Sequence, residues 1–185
     1  MLDLRGLIDV LEARGELRRI VRPVDREREL PALMEQVDRE RRGYFFEQVV
    51  GARFPLVGGL LNRYEPFGWA LGLAPGAPFS RDDLDLRITA ARHRPLAPRQ
   101  LEDGPVHEHR LQGDAIDLAA LPVPTMFELD SGPFITGACG VARDPATGEL
   151  NVGIYRTLVL GRDRLSVNAS SSSDLRQIYD AAARD

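Results

Sequence analysis

The strongest constraint on the fold is a β-hairpin in the second half of the chain. Two long runs of strand-forming residues, at 134–143 and 150–160, are separated by the turn sequence Asp-Pro-Ala-Thr-Gly at 144–148. Asp, Pro and Gly favour a turn because each suits a different backbone requirement of the reversal. A second turn at 161–163 and a further strand at 164–167 follow. The pattern therefore predicts an antiparallel meander.

The first half of the chain mixes helices with short strands. Apolar residues at helical spacing predict three helices, at 3–15, 27–42 and 82–93. Short apolar runs predict strands, at 16–21, 44–50 and 54–61. A last helix is predicted over 174–183, with Ser173 as its cap. The fold class is therefore α+β, with a small N-terminal α/β region followed by an antiparallel sheet.

A proline-rich connection at 94–105 is the candidate boundary between the two parts. It divides the chain into an N-terminal α/β region, residues 1–100, and a second region, residues 101–185. The Leu-Pro-Val-Pro sequence at 121–124 is expected to be extended, because each proline moves the residue before it out of the helical region.

Composition excludes several classes of function. The formal net charge is -4, and the sequence contains no long basic block, so nucleic acid and anionic membranes are not expected partners. All 24 basic residues are arginines, which excludes a Schiff-base lysine and the lysine of a phosphate loop. Any anion site must therefore be built from arginine, backbone N–H groups, hydroxyls or a metal ion.

The single cysteine, Cys139, excludes an internal disulfide and a cysteine-based zinc site. Because it lies in the apolar run 134–141, a buried structural thiol is expected. A cytoplasmic location fits this cysteine usage. The first residues lack the cationic start and apolar stretch of a signal peptide, and no apolar run reaches the ~20 residues of a membrane helix.

Three groups of polar residues could carry chemistry. The serine run 170–173 precedes a helix, whose N-terminus can bind a phosphate, although a linker with one capping serine is the alternative. Asn151 and Arg156 lie five residues apart on one strand, so alternation places them on opposite faces unless a bulge intervenes. Arg156 needs a carboxylate, a phosphate or solvent. His107 and His109 could share a strand face near a metal, but solvated histidines on an edge strand are favoured.

Several short motifs follow one another in a familiar order. In the first half they are Leu4-Arg5-Gly6-Leu7-Ile8, Leu11-Glu12, Gly15-Glu16-Leu17, Pro23-Val24-Asp25 with Glu29, and Tyr44-Phe45-Phe46-Glu47. In the second half they are Leu121-Pro122-Val123-Pro124, Ile135-Thr136, Arg143-Asp144-Pro145 with Thr147-Gly148, and Asn151-Val152-Gly153-Ile154-Tyr155-Arg156. Together they resemble the UbiD family of decarboxylases over nearly the whole chain.

The resemblance implies a reversible decarboxylase that uses prenylated FMN and acts on aromatic or α,β-unsaturated carboxylic acids. It also implies that the antiparallel sheet begins a split β-barrel like that of flavin reductases. A flavin prenyltransferase would be the source of the cofactor. Decarboxylation leaves a carbanion equivalent, for which the modified flavin serves as the electron sink.

The same resemblance assigns roles to individual residues. Asn151 corresponds to the asparagine that binds the metal holding the cofactor phosphate. Arg156 corresponds to the arginine that contacts the cofactor and the substrate carboxylate, and is the expected catalytic residue. The backbone at Ile154 and Tyr155 would line the flavin. The remaining cofactor-binding positions are Asn168, Ala169, Ser170, Ser173 and Asp174.

One metal ligand departs from the family pattern. The family usually supplies a histidine shortly before the last helix, but no histidine follows His109 in this sequence. Asp174 either replaces it as an oxygen ligand, or the site is degenerate. Oxygen ligands suit Mn²⁺ or Mg²⁺, with K⁺ as a further option, rather than zinc.

Family members are much longer than this chain. The resemblance therefore implies that the acidic proton donor, a further glutamate ligand and the oligomerisation region lie beyond residue 185, and that the 185-residue chain alone is inactive. Three alternatives remain open: a part or subunit of a UbiD-like enzyme, a non-catalytic flavin-phosphate-binding or assembly module, and a fragment without an independent role. A homo-oligomer or a second UbiD-like subunit is expected, because a half-built barrel exposes strand edges.

Overall fold

The computed structural model of the chain describes residues 3–97 and 99–184. The helices in these ranges are α1 (Leu4–Ala13), α2 (Leu30–Arg39), α3 (Tyr64–Ala70), α4 (Arg81–His93) and α5 (Asp174–Ala182). The strands are β1 (Leu17–Ile20), β2 (Gly43–Phe46), β3 (Leu56–Gly58), β4 (Phe134–Arg143), β5 (Leu150–Val159) and β6 (Leu165–Val167). Short 3₁₀ helices lie at Pro105–His107, Gly113–Ala115 and Leu118–Ala120.

The first sheet is mixed and has the strand order β1-β2-β3. Strand β1 pairs parallel with β2, and β3 pairs antiparallel with β2. A parallel pair needs a long crossover, which α2 supplies between β1 and β2. Helix α2 begins at Leu30, later than the sequence predicts, because the Asp25 carboxylate accepts hydrogen bonds from the backbone N–H groups of Glu27 and Arg28 and holds them in a turn.

Two apolar clusters stabilise this half. The larger joins α2 to the sheet and consists of Val24, Leu30, Val37, Tyr44, Phe46 and Val49. The smaller packs α1 against α3 through Leu7, Leu11 and Trp69. Burial of this apolar area is the main favourable contribution to the stability of the first half.

Tyr44 of the first cluster lies directly over Gly58 of β3, where a side chain at position 58 would collide with the tyrosine ring. The two residues are paired across β2 and β3, so the glycine leaves the space that the ring occupies. Burial raises the pKa of the Tyr44 hydroxyl, and the negative charge of Asp38 raises it further.

The second sheet is antiparallel and has the order β4-β5-β6. Its centre is the predicted hairpin, in which Gly140 pairs with Gly153 and Ala142 pairs with Asn151. The register shifts between Ile135 and Ala138, so the bulge lies in β4 and not in β5. Helix α5 packs against β4 and β5.

The segment 116–121 joins the two halves through hydrogen bonds to its backbone groups. The Arg26 guanidinium donates to the Ala119 carbonyl oxygen at 3.0 Å, and the Arg53 N–H donates to the Ala120 carbonyl oxygen at 2.8 Å. On the other side, the Leu118 N–H donates to the Arg162 carbonyl oxygen at 2.7 Å. The segment therefore contacts both the first half and the turn that follows β5.

The structure confirms a mixed α+β fold with two small sheets, and it corrects several boundaries. The predicted strands at 44–50 and 54–61 are shortened to β2 and β3. Helix α3 was not predicted, because Pro66 and Gly68 resemble a loop sequence. Proline is tolerated in a first helical turn, and burial of Trp69 against α1 stabilises the helix.

The prediction that Cys139 is buried is wrong, because the residue is exposed. Pairing with Ile154 places Cys139 on the face of the hairpin opposite α5. We call this the outer face and define it as Cys139, Val141, Leu150, Val152 and Ile154. Ile154 is 74% exposed and Val152 is 65% exposed, so the outer face is an exposed apolar patch, and Arg143 and Arg156 flank it on the same side of the hairpin.

Within the described ranges, no helix is long and apolar enough to cross a membrane. Leu121 is extended, as predicted, but the Val123 N–H donates to the Leu121 carbonyl oxygen at 2.9 Å, so the segment 121–124 contains a tight turn at Pro122. Met1, Leu2, Pro98 and Asp185, which belong to the predicted start, connection and end of the chain, lie outside the described residues.

Phe46 is the clearest test of the first core, because it is fully buried among residues of α2 and the sheet. We expect Phe46→Ala to lower the free energy of unfolding by about 3 to 5 kcal/mol through lost burial and the remaining cavity. Phe127→Ala is the matched control, since Phe127 is 72% exposed. Urea denaturation measures both, and equal losses in the two variants would contradict this description of the core.

Candidate functional site

The structure brings together two of the predicted site residues, Asn151 and Asp174. The Asn151 side-chain amide nitrogen donates to the Asp174 carboxylate at 3.3 Å. Asn151 is half-buried at the start of β5, and Asp174 is the first residue of α5. Residues 23 positions apart therefore meet where the helix crosses the hairpin.

The serine run 170–173 forms the turn that begins α5. Ser173 is the N-cap, and its hydroxyl oxygen accepts a hydrogen bond from the Arg176 N–H at 3.3 Å. The same hydroxyl donates to the Ser170 carbonyl oxygen at 2.8 Å. The predicted capping role of Ser173 is therefore confirmed, and the cap directs Asp174 toward β5 at a helix end with partial positive charge.

Tyr155 lies on the same face of β5 as Asn151. Its ring covers Gly140 and Gly153, and its hydroxyl lies 3.5 Å from the Asn151 amide oxygen. The Asn151 amide is therefore placed between a hydroxyl and a carboxylate.

Arg156 lies on the opposite face from Asn151, as strand alternation predicts without a bulge in β5. Its side chain is exposed, and its guanidinium carbon lies 6.0 Å from the centre of the Phe134 ring. The bulge in β4 lies opposite Arg156, so the strand next to this side chain is irregular. Ile154 is on the outer face, directly paired with Cys139.

The other predicted cofactor positions follow β6. The Asn168 N–H donates to the Arg156 carbonyl oxygen at 3.0 Å, which ties this segment to β5. Asn168 and Ser170 are exposed and Ala169 is half-buried. These residues connect the strand that ends at Val167 to the turn that begins α5.

Two cavities formed by described residues lie away from Asn151. One, of about 420 Å³, lies beside Arg26 and Arg162. A larger cleft, of about 1190 Å³, separates α2 from residues 125–136. Neither cavity is lined by Asn151 or Asp174, and Asp174 is exposed, so the pair lies at the surface of the sheet.

The histidine pair does not form the strand face considered from the sequence. His107 ends a 3₁₀ helix, and its ring nitrogen Nδ1 lies 3.0 Å from the Asp103 carboxylate. His109 is exposed. Among the described residues, no group of three or more His, Cys, Asp or Glu side chains is arranged to hold a metal.

Comparison with known proteins identifies the family. Residues 8–81 match the 3-octaprenyl-4-hydroxybenzoate carboxy-lyase N-terminal domain, and residues 99–185 match the Rift-related domain of the same carboxy-lyase. The chain belongs to the UbiD family. The resemblance drawn from the sequence motifs is thereby confirmed.

Relatives within the UbiD family match almost the entire chain. An uncharacterized protein in the cooM 5′ region of Rhodospirillum rubrum is 33% identical over 98% of this chain and 38% of its own length. The UbiD-class enzyme HmfF from Pelotomaculum thermopropionicum, solved in complex with FMN, is 34% identical, with a TM-score of 0.86 over 98% of this chain and 39% of that chain.

The closed form of vanillic acid decarboxylase from Sedimentibacter hydroxybenzoicus is 27% identical, with a TM-score of 0.87. The match covers 98% of this chain and 40% of that chain. This UbiD chain therefore spans about two fifths of the length of the relatives that it matches.

The donor set at the UbiD motif fits a hard cation, although incompletely. Asn151 can supply an amide oxygen and Asp174 a carboxylate, and both oxygen types suit Mg²⁺ or Mn²⁺. In the structure the amide nitrogen faces Asp174, so cation binding requires the amide to turn and present its oxygen. These two residues would hold part of the coordination shell.

The sequence prediction did not include Gly140 in the site. Its contact with Tyr155 depends on the pairing of β4 with β5, which no short motif reveals. A glycine inside a predicted strand does indicate that another group approaches the backbone closely. That signal was available at both Gly140 and Gly153.

The Ser173 cap provides a test of how α5 is held beside β5. We expect Ser173→Ala to destabilise the first turn of α5 by about 1 kcal/mol, and so to speed amide hydrogen exchange there by about five-fold. Ser172→Ala is the control, because Ser172 is exposed and is not the cap. Equal exchange rates in both variants would contradict the assignment of the cap.

Proposed function

We propose that this chain is part of a UbiD-type carboxy-lyase, acting reversibly on an aromatic or α,β-unsaturated carboxylic acid with prenylated FMN. Its own contribution would be to hold the phosphate end of the cofactor through a metal ion at Asn151 and Asp174. The observation that carries this proposal is the contact between these two residues, which brings the asparagine of the family motif to the N-terminus of α5.

The proposed metal ion would allow the Asp174 carboxylate to lie beside the cofactor phosphate. Two negative groups repel each other, and a cation between them converts the repulsion into shared coordination. Mn²⁺ or Mg²⁺ fits the two oxygen donors, and K⁺ is a weaker option because it neutralises less charge. The N-terminus of α5 would contribute backbone N–H groups and a partial positive charge to the phosphate.

The remaining cofactor contacts are assigned by position. The segment Asn168, Ala169 and Ser170 lies between β6 and the cap of α5, next to the proposed phosphate site. The backbone at Ile154 and Tyr155 would line the flavin. The cofactor observed with HmfF, FMN in one structure and prFMN in another, supports the choice of ligand.

Arg156 is the proposed catalytic residue and would orient the substrate carboxylate with its guanidinium fork. When bound, prenylated FMN supplies an electron sink for the carbanion equivalent. Because Arg156 and Asn151 lie on opposite faces of β5, a cofactor that contacts both must pass the edge of β5 that precedes its pairing with β6 at Thr157–Val159. The exposed guanidinium is free to reach such a ligand.

The outer face of the hairpin supports a partner. Its exposed apolar residues would be covered by the rest of a longer UbiD protein, a second copy or a second UbiD-like subunit. Closure of the β4-β5-β6 sheet in this way would produce the split β-barrel, with a boundary near residue 100 between it and the α/β region. A flavin prenyltransferase would supply the cofactor, and the single cysteine fits a cytoplasmic setting.

An alternative function is a non-catalytic module that binds the flavin phosphate or assists assembly. It is favoured by the incomplete donor set, since the described residues include no cluster of three His, Cys, Asp or Glu side chains. Sequencing of the same reading frame and of the adjacent genes distinguishes the two functions. A UbiD-like segment that supplies further acidic residues would support the enzyme, and the absence of any such segment would support the module.

Titration with FMN tests the proposed phosphate site. With Mn²⁺ present, we expect Asn151→Ala and Asp174→Ala each to weaken FMN binding by about ten-fold, because each removes a metal ligand. With a chelator present, wild-type binding should weaken similarly. Under that condition Asp174→Ala should bind FMN at least as tightly as wild type, because the variant lacks the repelling carboxylate.

Asp163→Ala is the matched control, since Asp163 is an exposed carboxylate in the turn between β5 and β6. It should bind FMN like wild type in both conditions. The contrary outcome is that the wild-type chain binds FMN equally well with and without the chelator, and that Asp174→Ala does not change this affinity. Asp174 would then only begin the helix, and no metal would hold the phosphate here.

A further inference from the structure

The ring of Tyr155 is seated on a pair of glycines. Gly140 and Gly153 face each other across β4 and β5. A Cβ atom on Gly140 would lie 2.8 Å from the Tyr155 ring, and one on Gly153 would lie 2.6 Å from the Tyr155 hydroxyl. Neither glycine has a positive φ, so space for the ring, and not backbone conformation, accounts for both.

The position of the ring over these two glycines determines where the Tyr155 hydroxyl lies. Tyr155 and Asn151 are four residues apart on one strand face, so their Cα atoms are separated by roughly 13 Å at the usual strand rise. Only a long side chain that lies back along the strand can cover that distance. The absence of a side chain at Gly153 provides the path, and the hydroxyl ends 3.5 Å from the Asn151 amide oxygen.

The Tyr155 hydroxyl can form a hydrogen bond with the Asn151 side-chain amide in either of its two orientations. In the structure the Asn151 amide oxygen faces Tyr155 and the amide nitrogen donates to Asp174. A cation shared with Asp174 requires the reverse, with the oxygen toward the cation and the nitrogen toward Tyr155. The hydroxyl both donates and accepts, so it can pair with either end of the amide. Phenylalanine could pair with neither.

We propose that Tyr155 is a positioning residue for Asn151: its ring lies on Gly140 and Gly153 and holds a hydroxyl that accepts from the Asn151 amide nitrogen once the amide oxygen turns toward a cation shared with Asp174. This inference rests on the proposed metal site, and it concerns the side chain of Tyr155, whereas the family resemblance concerns its backbone. The hydroxyl acts through Asn151 and does not itself contact the metal.

The effect of the Tyr155 hydroxyl is measured as a change in Mn²⁺ affinity. Mn²⁺ is titrated in the presence of saturating FMN, and electron paramagnetic resonance reports the concentration of free ion. We expect Tyr155→Phe to weaken Mn²⁺ binding by about ten-fold, since partners that orient a metal ligand have effects of this size. Gly153→Ala should weaken it at least as much, because the ring must move. The thermal unfolding midpoint of Tyr155→Phe should stay close to wild type, because the ring remains.

Two matched controls separate positioning from general effects. Tyr179→Phe removes a hydroxyl from an exposed tyrosine of α5, and Gly137→Ala adds a methyl group to β4 where the space is open. Both should bind Mn²⁺ like wild type. If Asn151→Ala loses Mn²⁺ while Tyr155→Phe retains wild-type affinity, the metal site stands and the positioning role is overturned.

A measurement without metal tests the contact by itself. The side-chain N–H resonances of Asn151 should shift in Tyr155→Phe and remain in place in Tyr179→Phe. Unchanged Asn151 resonances in Tyr155→Phe would overturn the role of Tyr155. If Asn151→Ala binds Mn²⁺ like wild type, the proposed metal site itself fails. A shift of the Asn151 resonances in Tyr155→Phe would in that case show a contact between the two side chains but no role in metal binding.

Discussion

The pairing of β4 with β5 is the constraint on which the proposed site depends. It places Gly140 opposite Gly153 and so leaves room for the Tyr155 ring, which reaches Asn151 on the same face. Helix α5 lies against these strands and brings Asp174 to the amide. A register shift of one residue would move Asn151 to the outer face and separate it from Asp174.

In both sheets a tyrosine ring lies over a glycine, but the surroundings of the ring differ. Tyr44 lies over Gly58 in the first sheet, where the ring contributes to a closed core. Tyr155 lies over Gly153 in the second sheet, where the hydroxyl end remains close to polar groups. A glycine beneath an aromatic ring thus makes room for a core residue in the first sheet and for a ring whose hydroxyl lies near Asn151 in the second.

The hairpin, the cap of α5 and the opposite faces of Asn151 and Arg156 could be predicted from sequence, because turn residues and strand alternation are local signals. The exposure of Cys139 could not, since an apolar run indicates a strand but not which face is covered. Helix α3 was missed because its stability depends on Trp69 packing against α1, a contact between distant parts of the chain. The meeting of Asn151 with Asp174 was expected from the family motif alone.

The exposed outer face and the surface position of the Asn151–Asp174 pair both occur in a chain that is shorter than its relatives. The chain spans 38% of one relative and 39 to 41% of the HmfF chains, so those proteins contain further residues that this chain does not match. The apolar side chains on one face and an incomplete donor set on the other are both what a portion of a larger UbiD site would present.

The central claim is that a metal ion joins Asn151 and Asp174 to the cofactor phosphate. Phosphorus NMR of bound FMN tests it directly, because Mn²⁺ broadens the phosphate resonance steeply as the metal approaches the phosphorus. We predict that Mn²⁺ broadens this resonance with the wild-type chain at a concentration that leaves the Asn151→Ala sample sharp. A bound FMN resonance that stays sharp with Mn²⁺, or equal broadening in both samples, would contradict the claim.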